Sequence, residues 1–327
     1  MTEILVVGTG AMGWNHARVC SSIGSLAGVC DQDREASIRA GQEFSAPSFS
    51  SLDTAIKGCN PDAIIIATPT SSHLEVLKTA VENNLHALIE KPIARDISEA
   101  EEISAILEKS DIICSVGHIE RYNPVIRKAK EIIESEEFGK VISTSSRRVS
   151  NFPGRIRDVG VILDLGIHEI DNCIYLMGGK PISVYCVGGT HNDIDFEDHV
   201  TMVIRFDNGK SSVIEVNWIT PMKVRKIALK CDSAFIDIDY MDQEIIVSSS
   251  NFIDLDKPNK FQPKIQFENK IVAVEKSEPL LLEITDFIDS IEKSRSPIVS
   301  ASDGILALRV AQAAQDSLSS GKVVKID

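Results

Sequence analysis

The sequence predicts an α/β protein in which a doubly wound parallel sheet is followed by a second domain with a mainly antiparallel sheet. Short apolar runs alternate with helix-length amphipathic segments as far as about residue 117, which is typical of parallel strands connected by helices. From Val141 onward, apolar and polar residues alternate along segments that are separated by turn residues. This change of pattern predicts two domains, residues 1–120 and residues 121–327.

The first segment carries a motif for binding a dinucleotide. An apolar strand at Ile4–Val7 leads into the turn Gly8-Thr9-Gly10-Ala11-Met12-Gly13, a helix-length segment and a second strand at Leu26–Cys30. Such glycines allow a tight turn, close approach of a pyrophosphate and close helix packing, and the helix N-terminus favours negative charge. Asp31 follows Gly13 by 18 residues, near the spacing of the carboxylate that accepts ribose hydroxyls. Glycine clusters also form ordinary turns, so the agreement of strand, helix and acid favours the nucleotide site.

The first domain continues as alternating strands and helices. Apolar strands are predicted at 62–67, 86–89 and 112–116. Ser72 with Glu75, and Ser98 with Glu101, are typical of capping boxes at the starts of two helices.

The second domain begins with a helix that starts at Pro124. The clearest hairpin runs from 200 to 206, turns at Asp207-Asn208-Gly209 and returns through 211–219. Strands are predicted at about 224–240 and helices near 280–293 and 302–319.

Composition limits the partners of this 327-residue chain. Its formal net charge of −14 argues against nucleic acids and anionic membranes as main partners. No apolar run approaches the roughly 18 residues of a membrane span, and the early first strand leaves no room for a signal peptide. We therefore expect a cytoplasmic protein. The seven cysteines include no Cys-x-x-Cys pair, so we interpret them as reduced core thiols and expect no metal site.

Two polar clusters are candidates for chemistry. Lys91 follows the strand predicted at 86–89, at the sheet edge where ligands bind, and Pro92 stiffens its loop. From position alone, a solvated surface lysine is an equally good interpretation. Asp164 precedes His168 by one turn of a predicted helix. This spacing fits either a helical histidine steadied by an aspartate or a general base held in one tautomer.

Together the motifs resemble those of the Gfo/Idh/MocA oxidoreductases. Besides the glycine turn and Asp31, the matching residues are Ala67-Thr68-Pro69 with His73, Glu90-Lys91-Pro92, Gly117-His118 with Arg121-Tyr122-Asn123-Pro124, and the Asp-x-Gly-x-His-x-x-Asp run at 164–171. They occur in order through both halves of the chain.

The resemblance implies a fold, a cofactor and a set of site residues. It implies an N-terminal Rossmann domain, a C-terminal α+β domain with an open-faced sheet, and homodimers or homotetramers formed through that sheet. It also implies that Lys91, Asp164 and His168 are catalytic. The residues expected to bind NAD are Gly8, Gly10, Ala11, Met12, Gly13, Asp31, Thr68, Pro69, His73, Glu90 and Lys91.

A basic segment points to the substrate. Residues 140–157 contain five basic residues and no acid, namely Lys140, Arg147, Arg148, Arg155 and Arg157. Arginine forks suit a diphosphate, although these residues could instead pair with acids across a subunit interface. The stretches 155–162 and 217–225 resemble family members that act as UDP-N-acetylglucosamine 3-dehydrogenases. The expected substrate contacts are His118, Arg121, Asn123, Arg155, Arg157, Asp164, His168, Lys223 and Arg225, with the role of His118 left open between substrate contact and packing.

The sequence therefore predicts an NAD-dependent dehydrogenase that oxidises a ring hydroxyl of a sugar. The favoured substrate is a UDP-N-acetylhexosamine, such as UDP-N-acetylglucosamine, oxidised at its 3-hydroxyl. The alternatives are a dehydrogenase of free sugars or polyols such as inositol, and an NAD-dependent glycosidase of the same superfamily. The intact lysine, aspartate and histidine disfavour a catalytically silent NAD-binding sensor.

Overall fold

The computed structural model describes residues 2–154, 159–192, 194–254 and 264–326, which form two compact units. The first unit consists of Met1–Tyr122 and Glu278–Leu308, and the second of Asn123–Ser277 and Arg309–Asp327. The predicted division at residue 120 lies near the boundary after Tyr122, but residues 278–308, predicted to belong to the second domain, are part of the first unit. None of the helices in the described residues is long and apolar enough to span a membrane.

The N-terminal part of the first unit alternates strands and helices. These elements are β1 (Ile4–Val7), α1 (Ala11–Ser22), β2 (Leu26–Cys30), α2 (Arg34–Glu43), β3 (Ser48–Phe49), α3 (Leu52–Cys59), β4 (Ala63–Ile66), α4 (His73–Glu82), β5 (His86–Glu90), α5 (Ile97–Leu107) and β6 (Cys114–Gly117). All neighbouring strands pair in parallel, in the order β3-β2-β1-β4-β5-β6. Every residue of β1 and β4 is buried, as expected of strands covered on both faces.

Two helix starts differ from the predicted capping boxes. A 3₁₀ turn at Thr70–Ser72 precedes α4, and the Ser72 hydroxyl donates to the Pro69 carbonyl at 2.8 Å instead of capping the helix. The helix α5 begins before Ser98, because the Asp96 carboxylate accepts from the Glu99 backbone N–H at 3.0 Å. Aspartate is as effective an N-cap residue as serine, and Asp96 precedes Ser98 in the chain, so the helix begins directly after Asp96.

The remaining elements complete both units. They are α6 (Pro124–Ser135), β7 (Val141–Asn151), α7 (Ile167–Met177), β8 (Pro181–Gly189), β9 (His199–Phe206), β10 (Ser211–Asn217), β11 (Ile219–Cys231), β12 (Phe235–Asp239), β13 (Glu244–Asp254), β14 (Lys264–Val272), α8 (Pro279–Glu292), α9 (Ala301–Ser320) and β15 (Val324–Lys325).

The second unit contains a nine-stranded sheet in the order β14-β13-β12-β11-β7-β10-β9-β8-β15. Its described neighbours pair antiparallel, apart from the parallel pair β7 and β10. The predicted mainly antiparallel sheet is confirmed, and so is the hairpin of β9 and β10, with Gly209 at a φ of +81° in its turn. Along β9, Met202 and Ile204 are buried and Val203 between them is exposed, so one face is covered and the other open.

The helix α8 belongs to the first unit because its apolar face completes that unit's core. Leu280, Ile284 and Phe287 are buried in one cluster with β1 and α1 residues such as Val6 and Ala17. The helical spacing of these three side chains predicts an amphipathic helix, but it does not specify which sheet the helix covers. All seven cysteines are free thiols, and five of them are buried.

Candidate active site

The glycine turn between β1 and α1 leaves room for a ligand. Gly8 has a φ of +90°, a backbone conformation that residues with a side chain rarely adopt. A Cβ at this position would lie 2.6 Å from the carbonyl oxygen of Ala67, in the loop after β4. A Cβ at Gly13 would overlap the Gly8 carbonyl, whereas a Cβ at Gly10 would meet nothing within 4 Å. The first backbone N–H groups of α1, at Ala11 and Met12, have no partner inside the helix and favour an anion. The turn therefore fits the diphosphate of a dinucleotide.

Asp31 lies directly after β2, and its carboxylate is fixed by three hydrogen bonds. One oxygen accepts from the Thr9 backbone N–H at 2.7 Å and from the Thr9 hydroxyl at 2.9 Å. The other oxygen accepts from the Asp33 backbone N–H at 2.9 Å. A carboxylate held in this way is ready to accept the ribose hydroxyls of a dinucleotide.

We expect the protein to use NAD at least about a hundredfold more efficiently than NADP. A 2′-phosphate about 4 Å from the Asp31 carboxylate would be repelled by about 4 kcal/mol at an effective dielectric of 20, before screening by salt. Side-by-side measurement of kcat/KM with both cofactors checks this expectation. Asp31→Ser should narrow the preference, because it removes the negative charge that repels the 2′-phosphate. Equal efficiency of the wild-type protein with NADP would show that Asp31 does not set the preference.

The loop after β4 offers a further polar group for the cofactor. Thr68 and Pro69 follow this strand, and the Thr68 hydroxyl is buried with no hydrogen-bond partner within the residues that the structure describes. A buried hydroxyl of this kind is satisfied when a ligand supplies its partner. Thr68 therefore also fits a bound dinucleotide.

The buried His73 ties this loop to the one that carries Lys91. One ring nitrogen of His73 lies 3.0 Å from the Thr68 carbonyl oxygen and the other 3.1 Å from the Pro92 carbonyl oxygen. Burial lowers the pKa of His73, although the surrounding carbonyls oppose the shift. His73, predicted to lie near the cofactor, thus links two loops that bear other predicted site residues.

The Glu90 side chain holds the backbone of the Glu90-Lys91-Pro92 loop in place. It is 7% exposed, and its carboxylate accepts from His16 on α1 at 2.8 Å and from the Lys91 backbone N–H at 3.1 Å. Burial alone would raise the pKa of Glu90, but the hydrogen bond and charge of His16, together with the charge and backbone N–H of Lys91, outweigh this effect, so the pKa lies below its usual range. The ionised carboxylate therefore fixes the backbone of Lys91 directly after β5. The peptide bond between Lys91 and Pro92 is cis.

In the second unit, Asp164 and His168 lie on consecutive turns of one helical segment. Asp164 is on a π-helical turn, Ile162–Gly166, and His168 is in the first turn of α7. The buried Ile167 and Ile170 hold this segment in the core, while Asp164 and His168 are half-buried beside them. Turns of the π type are frequent at functional sites. The helix predicted from Asp164 is thus π-helical at Asp164 and becomes α-helical only from Ile167, before His168.

A buried polar network next to His168 went unrecognised in the sequence. Glu169 is fully buried, and its carboxylate accepts from Arg148 on β7 at 2.7 Å and from the Tyr240 hydroxyl at 3.1 Å. Tyr240 also accepts from the Asn172 side chain at 3.3 Å. The only sequence signals were the position of Glu169 after His168 and that of Arg148 in the basic segment. The network holds α7 on the sheet and gives Arg148 an acid partner within the chain.

Several residues predicted to contact substrate have partners inside the protein. Arg121 is 3% exposed and pairs with Asp303 at 3.0 Å. Asn123 caps α6, and its side chain donates to the Tyr240 carbonyl at 3.1 Å. His118 is buried. These positions favour supporting roles for Arg121 and Asn123.

The basic residues predicted to bind a diphosphate are placed differently. Arg147 pairs with Glu215 at 2.7 Å, so it and Arg148 are matched with acids of the same chain. Lys223 is exposed and Arg225 is half-buried, both on β11. Arg155 and Arg157 lie outside the described residues.

Comparison with family models finds two matches. Residues 2–118 match the Gfo/Idh/MocA model described as an oxidoreductase family with an NAD-binding Rossmann fold. Residues 126–236 match the model of the Gfo/Idh/MocA C-terminal domain.

Similar proteins include dehydrogenases of sugars and of a polyol. The chain is 28% identical to a UDP-N-acetylglucosamine 3-dehydrogenase of Acidithiobacillus ferrooxidans over 94% of both chains, and a solved structure of that enzyme superposes with a TM-score of 0.87 over 98% of both, at 25% identity. It is 26% identical to a Bacillus subtilis scyllo-inositol 2-dehydrogenase over 98% of this chain and 95% of the relative. A levoglucosan dehydrogenase in complex with NADH and levoglucosan shares the fold, with a TM-score of 0.84 over 100% and 99% of the two chains at 19% identity.

Proposed function

Because the chain belongs to the Gfo/Idh/MocA oxidoreductase family, we propose that it is an NAD-dependent dehydrogenase of a UDP-linked N-acetylhexosamine, which it oxidises at the 3-hydroxyl. The observation that carries the choice of substrate is the similarity to a UDP-N-acetylglucosamine 3-dehydrogenase along nearly the whole of both chains. A free polyol is the second candidate, favoured by the similarity to a scyllo-inositol dehydrogenase.

In this proposal His168 accepts the proton of the sugar hydroxyl as that hydroxyl becomes a carbonyl. Asp164, one turn earlier, contacts the sugar and orients it. Lys91 donates a hydrogen bond to the same oxygen, where its positive charge stabilises the negative charge that develops as the proton leaves. NAD supplies the acceptor for the hydride from the ring carbon. Glu90 and His73 hold the Lys91 loop in place.

The substrate is tested by incubating the protein and NAD with nucleotide sugars and free sugars and following NADH. Oxidation of UDP-N-acetylglucosamine, with inositol and glucose inert, is the expected result. Efficient oxidation of inositol or glucose with UDP-N-acetylglucosamine inert would instead support the polyol dehydrogenase. A glycosidase would cleave its substrate without accumulating NADH, so product analysis separates this third class.

We expect Arg157→Ala to weaken capture of the nucleotide sugar at least tenfold while leaving NAD affinity unchanged. Charge-assisted hydrogen bonds to phosphate are worth about 1.5 to 3 kcal/mol each, and we assign the diphosphate to some of Arg155, Arg157, Lys223 and Arg225. The loss should appear in KM, because a diphosphate remote from the hydride is held equally in ground and transition states. Arg127→Ala, an exposed arginine of α6, is the control. An unchanged KM in Arg157→Ala would remove Arg157 from the substrate site.

We also propose that the open face of the second unit's sheet forms a subunit interface. The strand pairing places one residue from each of eight neighbouring strands in a single row across this face. From β8 to β14 these residues are Tyr185, Val203, Val213, Ser145, Ala228, Asp237, Ile246 and Ile271. Six of these eight side chains are apolar or aromatic, and Val203 is 37% and Ile271 67% exposed. Apolar surface of this extent is typical of an interaction site.

The interface predicts a homodimer or homotetramer in analytical ultracentrifugation. Val203→Asp, on β9 within this row, should reduce the mass to that of one chain because it buries a charge in the interface. Val323→Asp, an exposed valine after α9, should leave the mass unchanged. A wild-type protein that sediments as a single chain would contradict the proposal.

A further inference from the structure

The segment that leads to Asp164 is held by a residue distant in sequence. The backbone carbonyl of Glu197, just before β9, accepts from the Val161 N–H at 2.9 Å. Its side-chain carboxylate accepts from the Ile162 N–H at 3.1 Å. One residue thus binds two successive backbone donors at the start of the π-helical turn.

Those donors are ones that a helix cannot satisfy by itself. The first N–H groups of a helix lack intrahelical acceptors, and a side chain just before the helix usually supplies one. No side chain caps the π-helical turn at its local N-cap residue, Val161. Glu197 supplies the acceptor from another segment, and a carboxylate at this end of a helix is also favoured by the helix dipole.

Gly160 permits this approach. A Cβ at Gly160 would overlap the carboxyl group of Glu197, so the carboxylate packs directly over the glycine. The carbonyl of Gly160 in turn accepts from the Asp164 N–H at 3.1 Å. Glu197, Gly160 and Asp164 are therefore connected by direct contacts.

Glu197 itself stands on a rigid segment. The carboxylate of the next residue, Asp198, is fully buried and accepts from the backbone N–H groups of His191 and Asn192 and from the ring of His199. The Asp198 carbonyl accepts from the Trp218 N–H at 2.8 Å. Because these bonds fix the backbone directly after Glu197, Glu197 has little freedom to follow the turn if the turn moves.

We propose that Glu197 is a positioning residue whose carboxyl group sets the place of Asp164 and, through the same helical segment, of His168. The proposal rests on the function proposed above, in which these two residues act on the sugar. A displacement of about 1 Å at a reacting group can cost a hundredfold in rate. Glu197 therefore acts on the rate through Asp164 and His168 and needs no contact with substrate.

The first test compares Glu197→Ala with Glu197→Gln. We expect Glu197→Ala to lower kcat about 10- to 100-fold, with the KM for NAD within about twofold of the wild type. Glu197→Gln should retain most of the activity, because its amide oxygen can still accept from the Ile162 N–H. Asp195→Ala, which removes an exposed carboxylate from the same segment, should keep the wild-type kcat. A kcat within twofold of wild type in Glu197→Ala would overturn the proposal.

The second test is a double-mutant cycle with Gly160. Gly160→Ala alone should lower kcat about as much as Glu197→Ala, because the new methyl group displaces the carboxylate. The double variant should be no slower than Glu197→Ala, since truncation of Glu197 makes room for the methyl group. Losses that multiply in the double variant would show that the two residues act independently.

A third readout does not depend on turnover. The imidazole NMR signals of His168, assigned by their loss in His168→Ala, should shift in Glu197→Ala and stay in place in Asp195→Ala. Unmoved signals in Glu197→Ala would contradict the positioning role. If His168→Ala keeps the full rate while the signals shift as expected, the proposed catalytic role of His168 fails and the structural link from Glu197 stands.

Discussion

His168→Ala is expected to lower kcat by about 10² to 10⁴, the usual contribution of a positioned general base, while NAD binds as before. The substitution removes the group that we assign to the hydroxyl proton. His168 lies in the first turn of α7 between the buried residues Ile167 and Glu169, so the helix should keep its place without the imidazole. Steady-state kinetics and a separate titration with NAD measure the two effects independently.

The matched control for this variant is His191→Ala, which removes an exposed histidine of the second unit. It should leave kcat unchanged. If His168→Ala retained a near-normal rate, the proton would have to leave by another route, and the assignment of a general base would be lost.

Lys91→Met should be at least as damaging as His168→Ala. Methionine nearly preserves the length of the side chain but removes the positive charge that we place beside the reacting oxygen. The Glu90 carboxylate and His73 bind the backbone of this loop, so the loop should keep its backbone conformation in Lys91→Met. We expect the fall in kcat to exceed any change in the Kd of NAD, both measured on the same preparation.

Lys109→Met, an exposed lysine after α5, is the control for a general loss of charge in the first unit. Near-normal rates in both Lys91→Met and His168→Ala would refute the catalytic assignment as a whole. If the rate fell in only one of the two variants, the residue substituted in the other variant would not have the catalytic role that we propose for it.

Local patterns in the sequence predicted the parts of the fold that depend on local residues. The glycine turn, the apolar runs of β1 and β4, and the hairpin around Gly209 were all recognised, because their signals lie within a few residues. The paired strands β13 and β14 were missed. The serines at 248–250 weaken the alternation that identifies a strand, and the paired strand β14 begins only at Lys264.

Contacts between distant residues could not be predicted in this way. From the sequence, Arg121 was predicted to contact substrate. Its partner in the structure is Asp303, which lies 182 residues later in the chain. Glu197 carries no motif, and only its bonds to Val161 and Ile162 give it a role. The sequence therefore predicted the residues that we propose to react, whereas the residues that support them required the structure.

The return of α8 to the first unit also has a consequence for how the protein is made. The sheet strands of that unit are synthesised by residue 117, but Leu280, Ile284 and Phe287 reach the ribosome exit only much later. Until then the surface of β1 and α1 that α8 covers stays open, and exposed apolar surface makes a nascent chain prone to aggregation. The long sequence separation also slows closure of this core. The unit that binds the cofactor is thus completed only after residues 123–277 have been synthesised, although its glycine motif lies at residues 8–13.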